Sequence, residues 1–63
     1  MLQMLRLPQV ILRTGLSRST IYKIVGLGQF PRPIALSVRT VAWDADAIEA
    51  WIAERIRQSR QAA

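Results

Sequence analysis

The chain has 63 residues and contains no cysteine and no histidine, which excludes disulfides, thiolate metal sites and the commonest general base. A chain this short buries only about 60% of the surface its unfolded form exposes, so one domain spanning residues 1–63 is the expectation, and its 51% hydrophobic content suffices for a core and argues against intrinsic disorder. The formal net charge of +5 is unevenly placed: residues 1–43 hold Arg6, Arg13, Arg18, Lys23, Arg32 and Arg39 and no acid, a local charge of +6, whereas residues 44–63 sum to −1.

A surface built only for solubility would mix the signs, so a dedicated basic face is read in the first two thirds of the chain. Met1 to Leu5 is apolar but too short for a signal peptide, and no apolar run approaches the ~20 residues of a membrane span. A soluble, cytoplasmic, nucleoid-associated protein is expected.

In chain order, Pro8 suits the first turn of a helix, where its missing N–H is no loss. Val10, Ile11 and Thr14 follow at helical spacing and share a face with Leu7. Gly15 supplies the left-handed stop, and Leu16 is read as a plug between elements. Ser17 caps a second helix reaching Leu27, with Ile21, Ile24 and Val25 as its apolar stripe and Gly28 as its stop. Arg18, Ser19, Tyr22, Lys23 and Gly26 occupy the opposite face. Short helix, Gly-containing turn and capped helix are the parts of a helix-turn-helix, in the right order. Val10, Leu16, Ile21 and Ile24 fall where such a unit needs buried residues, although Ile11 stands where many carry a small one.

Pro31 and Pro33 forbid a continuing helix. Ile34–Leu36 and Thr40–Trp43 read as two short strands joined through Ser37, Val38 and Arg39, with Ile34, Leu36, Val41 and Trp43 facing inward. Such a hairpin must pack on the helices to be stable. Asp44 caps a last helix whose early acids and late arginines complement its dipole. Ile48, Trp51, Ile52 and Ile56 form its apolar stripe, which runs to about Arg57, and a frayed tail is expected beyond about Ser59. The structured core is placed at about residues 5–57. The predicted fold class is mainly α with a small β-hairpin, arranged as a winged helix-turn-helix.

The runs Arg6-Leu7-Pro8, Gly15-Leu16-Ser17-Arg18-Ser19-Thr20-Ile21-Tyr22, Gly28-Gln29-Phe30-Pro31-Arg32-Pro33-Ile34, Val41-Ala42-Trp43, Ala50-Trp51-Ile52 and Glu54-Arg55 together resemble the AlpA family. These are short transcriptional regulators of prophages and plasmids, related to small phage excisionases and to MerR-type winged-helix domains. The resemblance covers roughly residues 5–57. It implies a bacterial or prophage origin, DNA binding, and control of transcription or of excision genes. It places Arg18, Ser19, Tyr22 and Lys23 on the recognition helix and Arg32 and Arg39 around the wing. Gly26 and Leu27 depart from the polar residues usual at the end of that helix. Ser37 and Ala42 stand where glycines are common.

The candidate DNA-binding residues are therefore Ser17, Arg18, Ser19, Tyr22, Lys23, Arg32 and Arg39, with Arg6 and Arg13 as weaker candidates. Arg18 lies near the helix start that enters the major groove and can pair with guanine through two hydrogen bonds. Lys, Ser and Tyr more often hold phosphates. Arg39 at the hairpin turn suits a narrow groove or a phosphate, and Arg32 between two prolines suits a phosphate clamp. Against base stacking, Trp43 and Trp51 read as core residues, while Leu12 and Leu27 read as partly exposed. Asp44, Asp46 and Glu49 read as capping groups rather than a catalytic or metal set, since no His or Cys completes one. No metal, cofactor, small-molecule substrate or membrane partner is expected, and the chain is not read as an enzyme. A homo-oligomer on DNA is left open. Sequence-specific double-stranded DNA binding by a regulator of mobile-element genes is the leading function, with an excisionase-like DNA-bending factor as the alternative. A protein–protein adaptor with a basic face stands behind both.

Overall fold

A computed structural model describes residues 3–62. Its element order is β1 (Met4–Leu5), α1 (Leu7–Thr14), α2 (Arg18–Gly26), β2 (Ile34–Ser37), β3 (Thr40–Asp44) and α3 (Ala45–Ala62). The strands form one antiparallel sheet in the order β1-β3-β2, so β3 is central and β2 is an edge. Strand β1 was not foreseen, because two residues are too few to show an alternating pattern. It pairs Leu5 with Trp43 and Met4 with Asp44. The neighbouring Gln3 carbonyl accepts from the Ala45 amide at 2.9 Å, which ties the start of the chain to the start of α3.

Local chemistry sets the helix limits. Arg6 caps α1 and Gln9 Oε1 accepts the Arg6 amide at 2.9 Å, which satisfies a donor at the helix entry. Gly15 ends α1 in the left-handed conformation, φ 74°, and its amide donates to Ile11 O. Thr14 Oγ1 donates to Val10 O and accepts from the Leu16 amide, so the turn into α2 is held from both sides. At the end of α2 the Gln29 amide donates to Ile24 O and the Gly28 amide to Val25 O. This is the paired closure of a Schellman motif, and it requires the positive φ, 75°, that Gly28 adopts. Asp44 Oδ1 accepts from the Asp46 amide at 3.2 Å, as expected of a cap for α3.

The core joins every element except β2. Leu5, Val10, Ile21, Phe30, Trp43, Ala45 and Ile48 are buried, with Leu7, Ile11, Leu16, Ile24, Val25, Val41, Trp51 and Ile52 packed against them. Val10, Ile21, Trp43 and Ile48 take their expected inward places, and Leu12 and Leu27 are exposed as read.

The inward placement of Ile34 and Leu36 is corrected: they are 47% and 54% exposed. The register explains it. Ile34 pairs with Ala42 and Ala35 with Val41. Directly paired residues share a sheet face and neighbours along a strand alternate. Val41, Trp43 and Leu5 therefore line the core face and Ile34 lies on the other, while Ala35 pairs on the core face but is itself exposed, like every residue of the edge strand β2. The register then slips by one residue, because Ser37 rather than Leu36 pairs with Thr40. Leu36 is the extra residue of a β-bulge.

On α3 the inward stripe ends at Ile52, and Ile56 is 47% exposed rather than packed. The stretch expected to fray beyond Ser59 is helical through Ala62. Glu54 holds Arg57 and Gln58 on the next turn, and no glycine or proline follows Pro33 to stop the helix.

Candidate nucleic-acid interface

Helix α2 carries most of the candidate residues, and its own cap organises the first of them. Ser17 Oγ accepts from the Thr20 amide at 3.3 Å, lies 2.9 Å from Thr20 Oγ1 and 3.4 Å from Ser19 Oγ. Ile21 is fully buried and Ile24 and Val25 are half-buried, which fixes the rotation of the helix about its axis. The same rotation turns Arg18, Ser19, Tyr22 and Lys23 to solvent as one stripe, since residues four apart share a helix face. The Arg18 guanidinium lies over the Tyr22 ring, 5.8 Å from its centre. The Tyr22 ring in turn meets Trp43 edge-on at 6.2 Å. A cation, a half-exposed ring and a buried indole thus run in sequence from solvent to core, and Tyr22 orients Arg18 from below.

Trp43 couples α2 to the other candidates. It sits on β3 at the base of the hairpin, away from the turn, and is fully buried. Its Nε1–H donates to Pro31 O at 3.0 Å. Trp51 on α3 donates its Nε1–H to Gln29 O at 2.8 Å and packs edge-on against buried Phe30 at 4.8 Å. Two indoles from different elements thus pin the Gln29–Pro31 segment. Arg32 follows directly, exposed between two prolines. Arg39 is exposed in the turn that β3 leaves. The structure brings Ser17 against Ser19 and Arg18 against Tyr22, and places Lys23 one turn beyond Ser19 on the same stripe. Arg32 and Arg39 stand apart on separate segments, linked to α2 through Trp43.

The electrostatics divide the molecule. Among the described residues the ion pairs are Arg13–Glu49 and Arg57–Glu54. Arg13, a weaker candidate, is thereby engaged by Glu49 and joins α1 to α3. Arg6, Arg18, Lys23, Arg32 and Arg39 take part in neither pair. On α3, the hydrogen bond from Arg57 holds the Glu54 carboxyl below its usual range, and the same bond raises the Arg57 guanidinium. Arg55 lies over the Trp51 ring at 4.9 Å. The described residues form no enclosed pocket and no cluster of three metal-ligating side chains. Among them, no helix is long and apolar enough to cross a membrane. The arrangement suits an extended polyanion lying across an open surface better than a small molecule.

Three features of the site escaped the sequence reading: Phe30 in the core, the Arg13–Glu49 pair, and Trp43 as the link between three segments. The last had a usable cue. A buried tryptophan needs an acceptor for its N–H, and a proline-rich segment outside any helix offers free carbonyls.

Residues 3–56 match the family described as prophage CP4-57 regulatory protein (AlpA). The chain is 46% identical over 52 residues to the uncharacterized protein ORF88 of Enterobacteria phage P4, an alignment covering 82% of this chain and 59% of that protein. It is 34% identical over 61 residues to the DNA-binding transcriptional activator AlpA of Escherichia coli K12, covering 87% of each chain. The chain thus spans about three fifths of the phage P4 relative and most of the Escherichia coli one.

Proposed function

This chain belongs to the AlpA family of prophage regulatory proteins, and from that premise we propose that it is a sequence-specific, double-stranded-DNA-binding transcriptional regulator of prophage or mobile-element genes. It acts in the cytoplasm at the nucleoid and has no enzymatic activity. In this reading α1, the Gly15-Leu16 turn and α2 form the helix-turn-helix, and the β2–β3 hairpin is the wing. The observation that carries it is the outward stripe of α2. Arg18, Ser19, Tyr22 and Lys23 are exposed on a capped helix whose other side is locked into the core, within a 43-residue stretch that contains no acid. The likeness to the Escherichia coli DNA-binding transcriptional activator supports the same reading.

The roles follow from chemistry and position. Arg18, next to the Ser17 cap and steadied by Tyr22, reads a guanine edge in the major groove. Ser17, Ser19, Tyr22 and Lys23 hold phosphates and fix register. Arg32 is a phosphate clamp made stiff by its flanking prolines. Arg39 contacts the groove beside the one α2 occupies.

Selection of bound duplexes from a random pool tests the proposal. An enriched motif is the expected result, and the spacing of its repeats reports whether copies bind side by side. Recovery of unselected sequence, with binding that depends on salt alone, would replace the specific reading with non-specific charge attraction.

A further inference from the structure

The hairpin tip breaks the usual rule for turns. Turns favour Gly, Asn, Asp, Ser or Pro, whereas this one is Val38-Arg39, and Val38 is 101% exposed. The favoured two-residue hairpin turns need positive φ. Among the described residues only glycines have it, so Val38 and Arg39 form a turn of the other hand. The bulge at Leu36 absorbs the mismatch and re-aims the strand just before the tip. The result is an uncovered β-branched residue with a cation beside it and half-exposed Leu36 behind. Nothing in the fold repays that choice, because Val38 packs against nothing. A local rule broken without compensation inside the fold points to a partner outside it.

The base of the same hairpin is rigid. Trp43 is fully buried and bonded to Pro31 O. An arm fixed at its base, apolar at its end and cationic beside that end matches the way DNA-bending proteins drive an apolar side chain between base pairs. Charge complementarity selects the occupant, since the hairpin carries no acid from Ile34 to Trp43. We propose that the tip is a wedge: Val38 enters a base step from the minor groove beside the α2 groove, and Arg39 is drawn into the negative potential of that groove. Insertion unstacks the step and kinks the duplex toward the major groove. The inference rests on the DNA-binding reading above and adds a residue, a groove and a deformation to it.

The test uses the full chain and a duplex carrying the selected motif, with 2-aminopurine placed in turn at each step flanking the α2 contacts. Wild type raises emission at one step. Val38→Ser loses that rise, Val38→Leu keeps it, and Arg39→Ala weakens binding while leaving the step unchanged. A mismatch at that step pre-unstacks it, so wild type binds the mismatched duplex about tenfold more tightly than the intact one, because unstacking is the main cost of insertion. Val38→Ser shows almost no such preference. Val38 is bare, so circular dichroism of the serine variant matches wild type. A wild-type protein that protects its motif from cleavage but raises emission at no step overturns the wedge while leaving DNA binding standing. A wild-type protein that enriches no motif overturns the DNA reading first, and the wedge with it. If Val38→Ser instead turns a DNA-free dimer into a monomer by sedimentation velocity, the tip docks a second copy and the wedge is overturned.

Discussion

Helices α2 and α3 pack on the same core, and each turns a row of cations to solvent, yet they treat those cations differently. On α3 two of the three arginines are engaged within the helix: Arg57 grips Glu54 and Arg55 covers Trp51, and the helix as a whole carries Asp46, Glu49 and Glu54. On α2, Arg18 and Lys23 have no acid within the helix or anywhere earlier in the chain, and Arg18 rests only on the Tyr22 ring. Cations that neutralise one another contribute to the helix that bears them. Cations left unmatched repel each other, and that repulsion is relieved when an anion arrives. The α3 arrangement serves the fold, and the α2 arrangement is the one that the proposed DNA partner would complete.

Substitutions sharpen the contrast. The largest effect is expected at the point where the two regimes meet. Trp43→Ala removes the buried indole that touches Tyr22 and bonds to Pro31 O, at a cost of about 3–5 kcal/mol. Chemical denaturation monitored by circular dichroism measures it, and loss of a folded baseline in water is the extreme form of the same outcome. On α2, Arg18→Ala should relax preference at one base position by about 1–3 kcal/mol with the fold intact. A folded Arg18→Ala protein that selects an unchanged motif assigns the reading to Ser19 and Tyr22, or to DNA shape. Charge reversal at Lys23, Arg32 or Arg39 should weaken binding to all duplexes and flatten the dependence on salt by about one ion each. The matching reversal at Arg57 should leave that slope almost unchanged, and an equal change would erase the distinction between the helices.

Ser17→Ala should cost the domain about 1 kcal/mol through loss of the cap, read from the denaturation midpoint. The smallest effect belongs to Glu54. Its folded carboxyl is held below the ordinary value of 4.5, so its contribution is present at neutral pH and is lost as pH falls below that value. The difference in helical signal between wild type and Glu54→Gln should therefore shrink on acidification. A difference that stays constant down to pH ~3 would show that the Arg57 bond does not support the helix.

The helices were legible in the sequence because their limits are written in single residues. Ser17, Gly15, Gly28 and Asp44 each do a job that few other residue types do. The apolar stripes of α1 and α2 repeat at the helical period, and the stripe of α3 was overestimated by one turn at Ile56. The hairpin was found but its β2 residues do not face inward: the whole edge strand is exposed. Two apolar residues spaced two apart look alike whichever side they face, and only the register against β3 decides. That register depends on a turn whose type Val38 and Arg39 do not announce. Strand β1 and the burial of Phe30 depend on contacts between distant parts of the chain. For the interface, residue types and helix position were enough to nominate the stripe on α2. The network behind it, from Arg18 through Tyr22 and Trp43 to Pro31, joins residues far apart in sequence and carries no local pattern.

The separation between the anchored base of the hairpin and its bare tip also bears on how such a domain diversifies. Trp43 and Val41 hold the arm from its inner side, while Val38 and Arg39 lie at a two-residue turn where the backbone leaves one strand and enters the next. Exposed loop tips of this kind are the places where insertions and exchanges are best tolerated. The tip can therefore be lengthened, shortened or rewritten without repacking the core. A lineage can change the end of its arm while inheriting its foldability unaltered, and an engineer can graft a new loop at the same junction.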